Sequence, residues 1–280
     1  MAFIEIASKS TTAFSTTQNP SINIPSGTED GDLLVAILMG WRDGGGPTVT
    51  VSTPVGWTSM INTEFTNDTD SIRTVVFWKI ADSEGASQTF TTGGLSGGQY
   101  GGVMFRCINP AASPADQSNS DEDATDVGNI QIPITPSVIN TLMFFIPGVF
   151  AGDLVSFSFT DDPDWTEEFD ADTGTYQFQI HSAFRAEDTS TGNGSFTGSG
   201  DNGGVFTIVN FKSFPDVTVN PDPITATLSV QAPTVAGGAN VSVSVIEATL
   251  SVQAPTVTVG NAKWANADKS STTWTNEEKS

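Results

Sequence analysis

The chain has 280 residues, with 32 Asp+Glu against 10 Lys+Arg and a formal charge of −22. That length can bury a core as one large all-β domain or as two modest domains. Phosphate recognition needs cationic side chains to displace counterions, so the acidic excess argues against nucleic acid as a partner, and against anionic membrane surfaces for the same reason.

Cys107 is the single cysteine, so no intrachain disulfide can form. Folding in a reducing cytoplasm is expected. The start "MAFIEIASKSTT" has no basic stretch followed by an apolar run, and no secretion signal is expected there. The longest apolar runs, "LLVAILMGW" at 33–41 and "LMFFIPGVF" at 142–150, are too short to span a bilayer and read as buried strands.

Helical periodicity is absent. Val, Ile, Thr, Phe and Ser dominate, and 27 Gly and 15 Pro punctuate the chain, which predicts many short strands in a sandwich or barrel. In chain order, strands are expected at 3–7, 21–24, 32–39, 49–51, 58–65, 72–80, 87–91 and 100–108. They resume at 130–134, 141–149, 154–159, 176–186, 194–197 and 204–212. "VFTIVNF" at 205–211 is mostly apolar and should be a central buried strand.

The two series correspond to one another. "GDLLVAIL" (31–38) matches "NTLMFFIP" (140–147), and "PVGWTSM" (54–60) matches "PDWTEEF" (163–169), pairing Trp57 with Trp165. "WKIADSEGASQTFT" (78–91) aligns with "FRAEDTSTGNGSFT" (184–197), Trp78 meeting Phe184. "YGGVMF" (100–105) answers "NGGVFT" (202–207). Element order is kept while the offset drifts, as in two related halves with altered loops. Between them "DQSNSDEDATD" (116–126) has no apolar position and reads as a solvated loop, without the spacing of a calcium loop.

No motif argues for catalysis. "GLSGG" (94–98) satisfies G-x-S-x-G, but that pattern needs a strand-to-helix turn and lies here in a glycine-rich hairpin. His181 is the only histidine, which excludes a multi-imidazole zinc site; it reads as a hydrogen-bonded strand residue. Cys107, within "VMFRCI", reads as a buried thiol. The pairs Glu167/Glu168 and Asp161/Asp162 could supply two carboxylates, but adjacency says nothing of the separation hydrolysis needs. No metal or cofactor is expected. Trp41, followed by Arg42, Asp43 and a glycine run, combines an aromatic face with polar groups and is the candidate glycan contact, although a Trp closing a core is commoner.

After residue 212 the texture changes. Residues 1–214 read as the sandwich and 215–224, with its prolines, as a linker. Residues 225–262 carry two 22-residue units containing "ATLSVQAPTV" twice, at 226–235 and 248–257. Their alternating small apolar residues predict strands too thin to be stable alone, which sister chains or a neighbour would cover. Residues 263–280 repeat W-x-N-x-x-K-S: Trp264, Asn266 and Lys269, then Trp274, Asn276 and Lys279. Periodic Trp and Lys on a terminus without a core read as a docking peptide.

"SGTEDGDLLVAIL", "TPVGWTSM", "VVFWKIAD", the "LSVQAPTV" repeats and the W-x-N-x-x-K-S ending together resemble structural proteins of tailed bacteriophages, the head-fibre, tail-fibre and tail-tip appendages. The resemblance implies a jelly-roll-like sandwich and location in the virion after assembly in the host cytoplasm, and it implies no catalytic residue. The expected function is a non-enzymatic fibre, decoration or tail-appendage subunit attached through its C-terminal region. Expected partners are other virion proteins and sister chains, a trimer by preference. The alternative is a carbohydrate- or receptor-binding adhesion module contacting a host-surface glycan.

Overall fold

A computed structural model describes residues 3–42, 49–66, 70–93, 98–123, 130–150, 156–157, 165–172, 176–185, 192–197 and 203–213. The chain divides into Met1–Pro215 and Asp216–Ser280, and every described residue lies in the first unit. The expected linker, the repeats and the Trp/Lys tail lie outside the described residues.

Every regular element among the described residues is a strand. The first half holds β1 (Glu5–Ser15), β2 (Ser21–Asn23), β3 (Leu33–Arg42), β4 (Thr50–Val51), β5 (Thr58–Thr66), β6 (Ser71–Ile80), β7 (Ser87–Thr89), β8 (Thr92–Gly93) and β9 (Gln99–Ile108). The second holds β10 (Pro110–Asp123), β11 (Ile130–Ile134), β12 (Thr141–Phe150), β13 (Ser156–Phe157), β14 (Thr166–Asp172), β15 (Tyr176–Arg185), β16 (Gly192–Thr197) and β17 (Gly204–Ser213).

Each half makes its own five-stranded antiparallel sheet, β1-β9-β3-β6-β5 and β10-β17-β12-β15-β14. Taking β7 and β8 as one interrupted strand, both orders read first, eighth, third, sixth, fifth. The remaining strands form small sheets, β2-β7 with β4-β8 in one half and β11-β16-β13 in the other. Pairing first with eighth and third with sixth in one layer, and second with seventh and fourth in another, is jelly-roll wiring. In both halves the fifth strand sits beside the sixth, widening the large sheet. The protein is therefore an all-β, jelly-roll-like sandwich of two related halves.

Side-chain alternation explains why "LLVAILMGWR" is buried at every position. Leu33, Val35, Ile37, Met39 and Trp41 face a core shared with Leu142, Phe144 and Ile146 of β12. Leu34, Ala36 and Leu38 face the opposite way, onto Ile22, Val49, Val51 and Phe90 of the first small sheets and their flanks. In the second half Met143, Phe145 and Val149 pack outward against Ile132 and Ile134. The large sheets thus lie face to face, each with its small sheet behind it. A sheet covered on both sides reads as a continuous apolar run. Phe105 and Phe144 span the middle with ring centroids 4.9 Å apart.

The contacts between the large sheets obey an approximate two-fold relation. On one side Lys9 of β1 pairs with Glu168 of β14 at 3.0 Å. On the other, Thr63 of β5 donates to Glu122 of β10 at 3.1 Å. A first strand meets a fifth strand at both edges, as in an isologous dimer within one chain.

The register refines the expected correspondence. Leu33 pairs with Ile80 and Cys107, while its counterpart Leu142 pairs with Phe184 and Phe211. Phe184 therefore corresponds to Ile80 rather than Trp78, and Tyr100 to Gly204. A slip of two residues preserves which face each side chain takes, so pattern matching is blind to it. Residues 116–123 are a correction. They belong to edge strand β10, hydrogen-bonded to buried β17, and do not form a loop.

Candidate functional site

Positions occupied alike in both halves are explained by packing common to both. Trp57 lies just before β5 and Trp165 just before β14; their rings contact Phe90 and Phe145 respectively. Positions that differ between the halves are where a specialised role can reside. Two such groups stand out.

The first covers the end of β3 on the outer face. Arg42 faces Ser71 across the ladder and Gly40 faces Arg73; Arg73 in turn faces Glu64, and Ser71 faces Thr66. Cross-strand partners share a face, so these side chains form one patch with Tyr100, which is opposite Gly40. Gly40 leaves room for the Tyr100 ring and Val49, where any added Cβ would collide. The Tyr100 hydroxyl lies 2.6 Å from the Gly93 carbonyl and 3.2 Å from that of Thr50. Burial raises its pKa above the usual tyrosine value.

Arg73 is satisfied on all three nitrogens, by the Val49 carbonyl, the Asn62 amide oxygen and the Glu64 carboxylate. The second oxygen of Glu64 accepts from the Ser71 hydroxyl. Arg42 stands outside this closed network. It is 2% exposed, and its Nε and Nη1 have no hydrogen-bond partner. In the second half the ladder puts Gln177 where Arg73 stands and Asp172 where Glu64 stands. Arg73 therefore has no cationic counterpart in the second half.

The second group is Gln179 and His181 of β15, both buried on the outer face where the first half has Val75 and Phe77. His181 Nε2 lies 3.0 Å from Gln179 Oε1. Desolvation lowers its pKa from 6.5 to about 4, against the opposing pull of Glu168. This is the hydrogen-bonded strand histidine expected from the sequence. Cys107 is fully buried in the shared core, where desolvation pushes its thiol pKa far up, with Glu168 and Asp32 adding to the effect.

Among the other expected residues, Trp41 packs in the shared core with 7% exposure and presents no open ring to a sugar. Arg42 is equally hidden, and Asp43 lies outside the described residues. So do Trp264, Asn266, Lys269, Trp274, Asn276, Lys279, residues 94–97 of "GLSGG", and Asp161/Asp162. Glu168 is engaged by Lys9 and by the Ser182 hydroxyl, whereas Glu167 is exposed, so the pair is not a matched set. Among the described residues no three His, Cys, Asp or Glu are placed to hold a metal. A shallow cleft of roughly 240 Å³ at the other end of the first half carries Glu29, Asp30 and Glu84. Glu84 pairs with Lys79 at 2.6 Å and Asp30 accepts from the Ser83 amide, so these two carboxylates are tied into the turn.

Glu64 lies in the mostly polar β5, and Ser71 and Arg73 at alternate positions near the start of β6; only pairing across the ladder brings the three together. The chain matches no protein-family model, and the comparisons with curated proteins and with solved structures gave no significant match.

Proposed function

We propose that the protein is a non-enzymatic structural subunit of a tailed-phage virion, a fibre, decoration or tail appendage attached through its C-terminal region. The observation that carries this is the exact decamer repeat followed by the doubled W-x-N-x-x-K-S frame. Repeated short strands with a thin apolar face need neighbouring chains to cover them, and a doubled Trp/Lys frame suits paired pockets on an acidic assembly. The tandem jelly roll is compatible, since jelly rolls are common among viral shell proteins and lectins. Association as a homo-oligomer, a trimer by preference, remains part of the proposal.

Deleting residues 263–280 should release the protein from purified particles while leaving the circular dichroism of the sandwich unchanged. Trp274→Ala should weaken retention far more than Thr275→Ala. Full retention of the truncated protein would defeat the docking role. The competing reading, an adhesion module for a host glycan, predicts saturable signals on a glycan array, whereas a purely structural subunit gives none.

A further inference from the structure

The two edges at which the halves meet share one plan but not one chemistry. In each fifth strand the ladder skips a residue, Met60 in β5 and Glu168 in β14, and these two positions correspond. Lys9 of β1, opposite Phe105, likewise corresponds to Ser118 of β10, opposite Val209. At one edge the Lys9 ammonium donates to the Glu168 carbonyl; at the other the Ser118 hydroxyl donates to the Met60 carbonyl at 3.5 Å. Equivalent residues thus reach equivalent backbone atoms. Charge is added at the first edge, where Lys9 also pairs with one carboxylate oxygen of Glu168 at 3.0 Å and Ser182 donates to the other.

An interface with such symmetry leaves a choice of partner. The inner face of the first half can meet the second half of its own chain or the first half of another copy, because both partners present the same strand order. Tethering favours the chain's own half through an effective concentration on the order of 1 mM, an advantage that shrinks as the protein approaches that concentration. We infer that the Lys9–Glu168 contact decides the pairing, selecting first half with second half against like halves of a second copy. Two paired first halves set Lys9 against Met60 at both edges, and two paired second halves set Ser118 against Glu168. The exchange strands a cation and a carboxylate that are 39% and 13% exposed in the native contact, each without an opposite charge. The inner faces of the large sheets are therefore an interaction surface marked against a second copy of this chain. The inference does not rest on the proposed function.

The test uses the full-length chain carrying Ala13→Cys and Thr63→Cys as a common background, in which the native Cys107 is fully buried and does not compete. β1 and β5 are opposite edges of one sheet, four strand spacings or about 19 Å apart, so a short bis-maleimide does not bridge them within one half. In a pair of first halves β1 of one copy lies along β5 of the other, and the reagent joins two chains. Refolding is carried out at about 100 µM, a tenth of the tethered concentration. Lys9→Ser with Glu168→Met makes the two edges alike and should raise the yield of cross-linked dimer. A partly exposed ion pair shifts an equilibrium by about 2- to 5-fold and a like-half dimer forfeits two, so the rise should be about 4- to 25-fold. Lys9→Glu with Glu168→Lys restores opposite charges and should return the yield to its starting level. If the Ser/Met chain does not fold by circular dichroism, Lys9→Gln should still raise the yield at least about 2-fold. An unchanged yield in the folded Ser/Met chain, or in Lys9→Gln where that chain does not fold, overturns the inference. So does a charge-reversed chain that cross-links as strongly as the chain without the pair.

Discussion

At the scale of single residues, the two halves act as controls for one another. Trp57 is 7% exposed, donates to Gln88 Oε1 at 3.1 Å, and packs edge-on to Phe90. Trp165 occupies the equivalent place but is only half-buried. Trp57→Ala should therefore destabilise by about 3–5 kcal/mol and Trp165→Ala by distinctly less, as measured by denaturant unfolding. His181 and Phe77 form a second matched pair. Folded His181 stays neutral down to about pH 4, whereas the unfolded residue takes up a proton below 6.5. Between those values the unfolded state binds more protons, so stability falls as the pH drops through that window. Above 6.5 both states are neutral and the effect vanishes. The span corresponds to roughly 3 kcal/mol in total. His181→Phe, which installs the first-half residue, should remove that share of the acid sensitivity when its stability–pH curve is subtracted from wild type; an unchanged curve would mean that His181 is not the titrating group.

At the scale of elements, legibility follows burial. β3, β6, β9, β12, β15 and β17 lie inside the large sheets; β3, β12 and β17 read as apolar runs, and the other three as strands of mixed or alternating pattern. β10 and β14, both edge strands, carry no such pattern, and that of β1 stops at residue 7 although the strand runs to Ser15. An edge strand has no neighbour on one side, so its sequence can be polar like "DQSNSDED" while its backbone still pairs. Register was illegible for a related reason, since a two-residue slip leaves the pattern of inward and outward side chains unchanged. The glycines of "YGGVMF" mark the pairing instead. A Cβ on Gly102 of β9 would lie 2.5 Å from the Ile37 carbonyl of β3, and Phe14 covers Gly101. Gly102→Ala should thus cost about 1–3 kcal/mol by forcing backbone shifts, measurable as a lowered denaturation midpoint with unchanged slope. The candidate site was half legible. Arg42 stands out in the sequence only beside Trp41, and the burial of both depends on sheet pairing that no local pattern conveys.

At the scale of the whole molecule, Met1–Pro215 is two jelly rolls joined back to back through their large sheets, with first and fifth strands meeting at both edges. Such a body has its own core on each side of each large sheet. Under the proposed function this body is the displayed part of a virion subunit, and the C-terminal region is its means of attachment. The measurement that tests it most directly is electron microscopy of purified particles labelled with an antibody raised against residues 1–215. Label is expected at regular positions on intact particles, and is lost when residues 263–280 are deleted. Label confined to free protein in the lysate, with none on particles carrying the full-length chain, would contradict it.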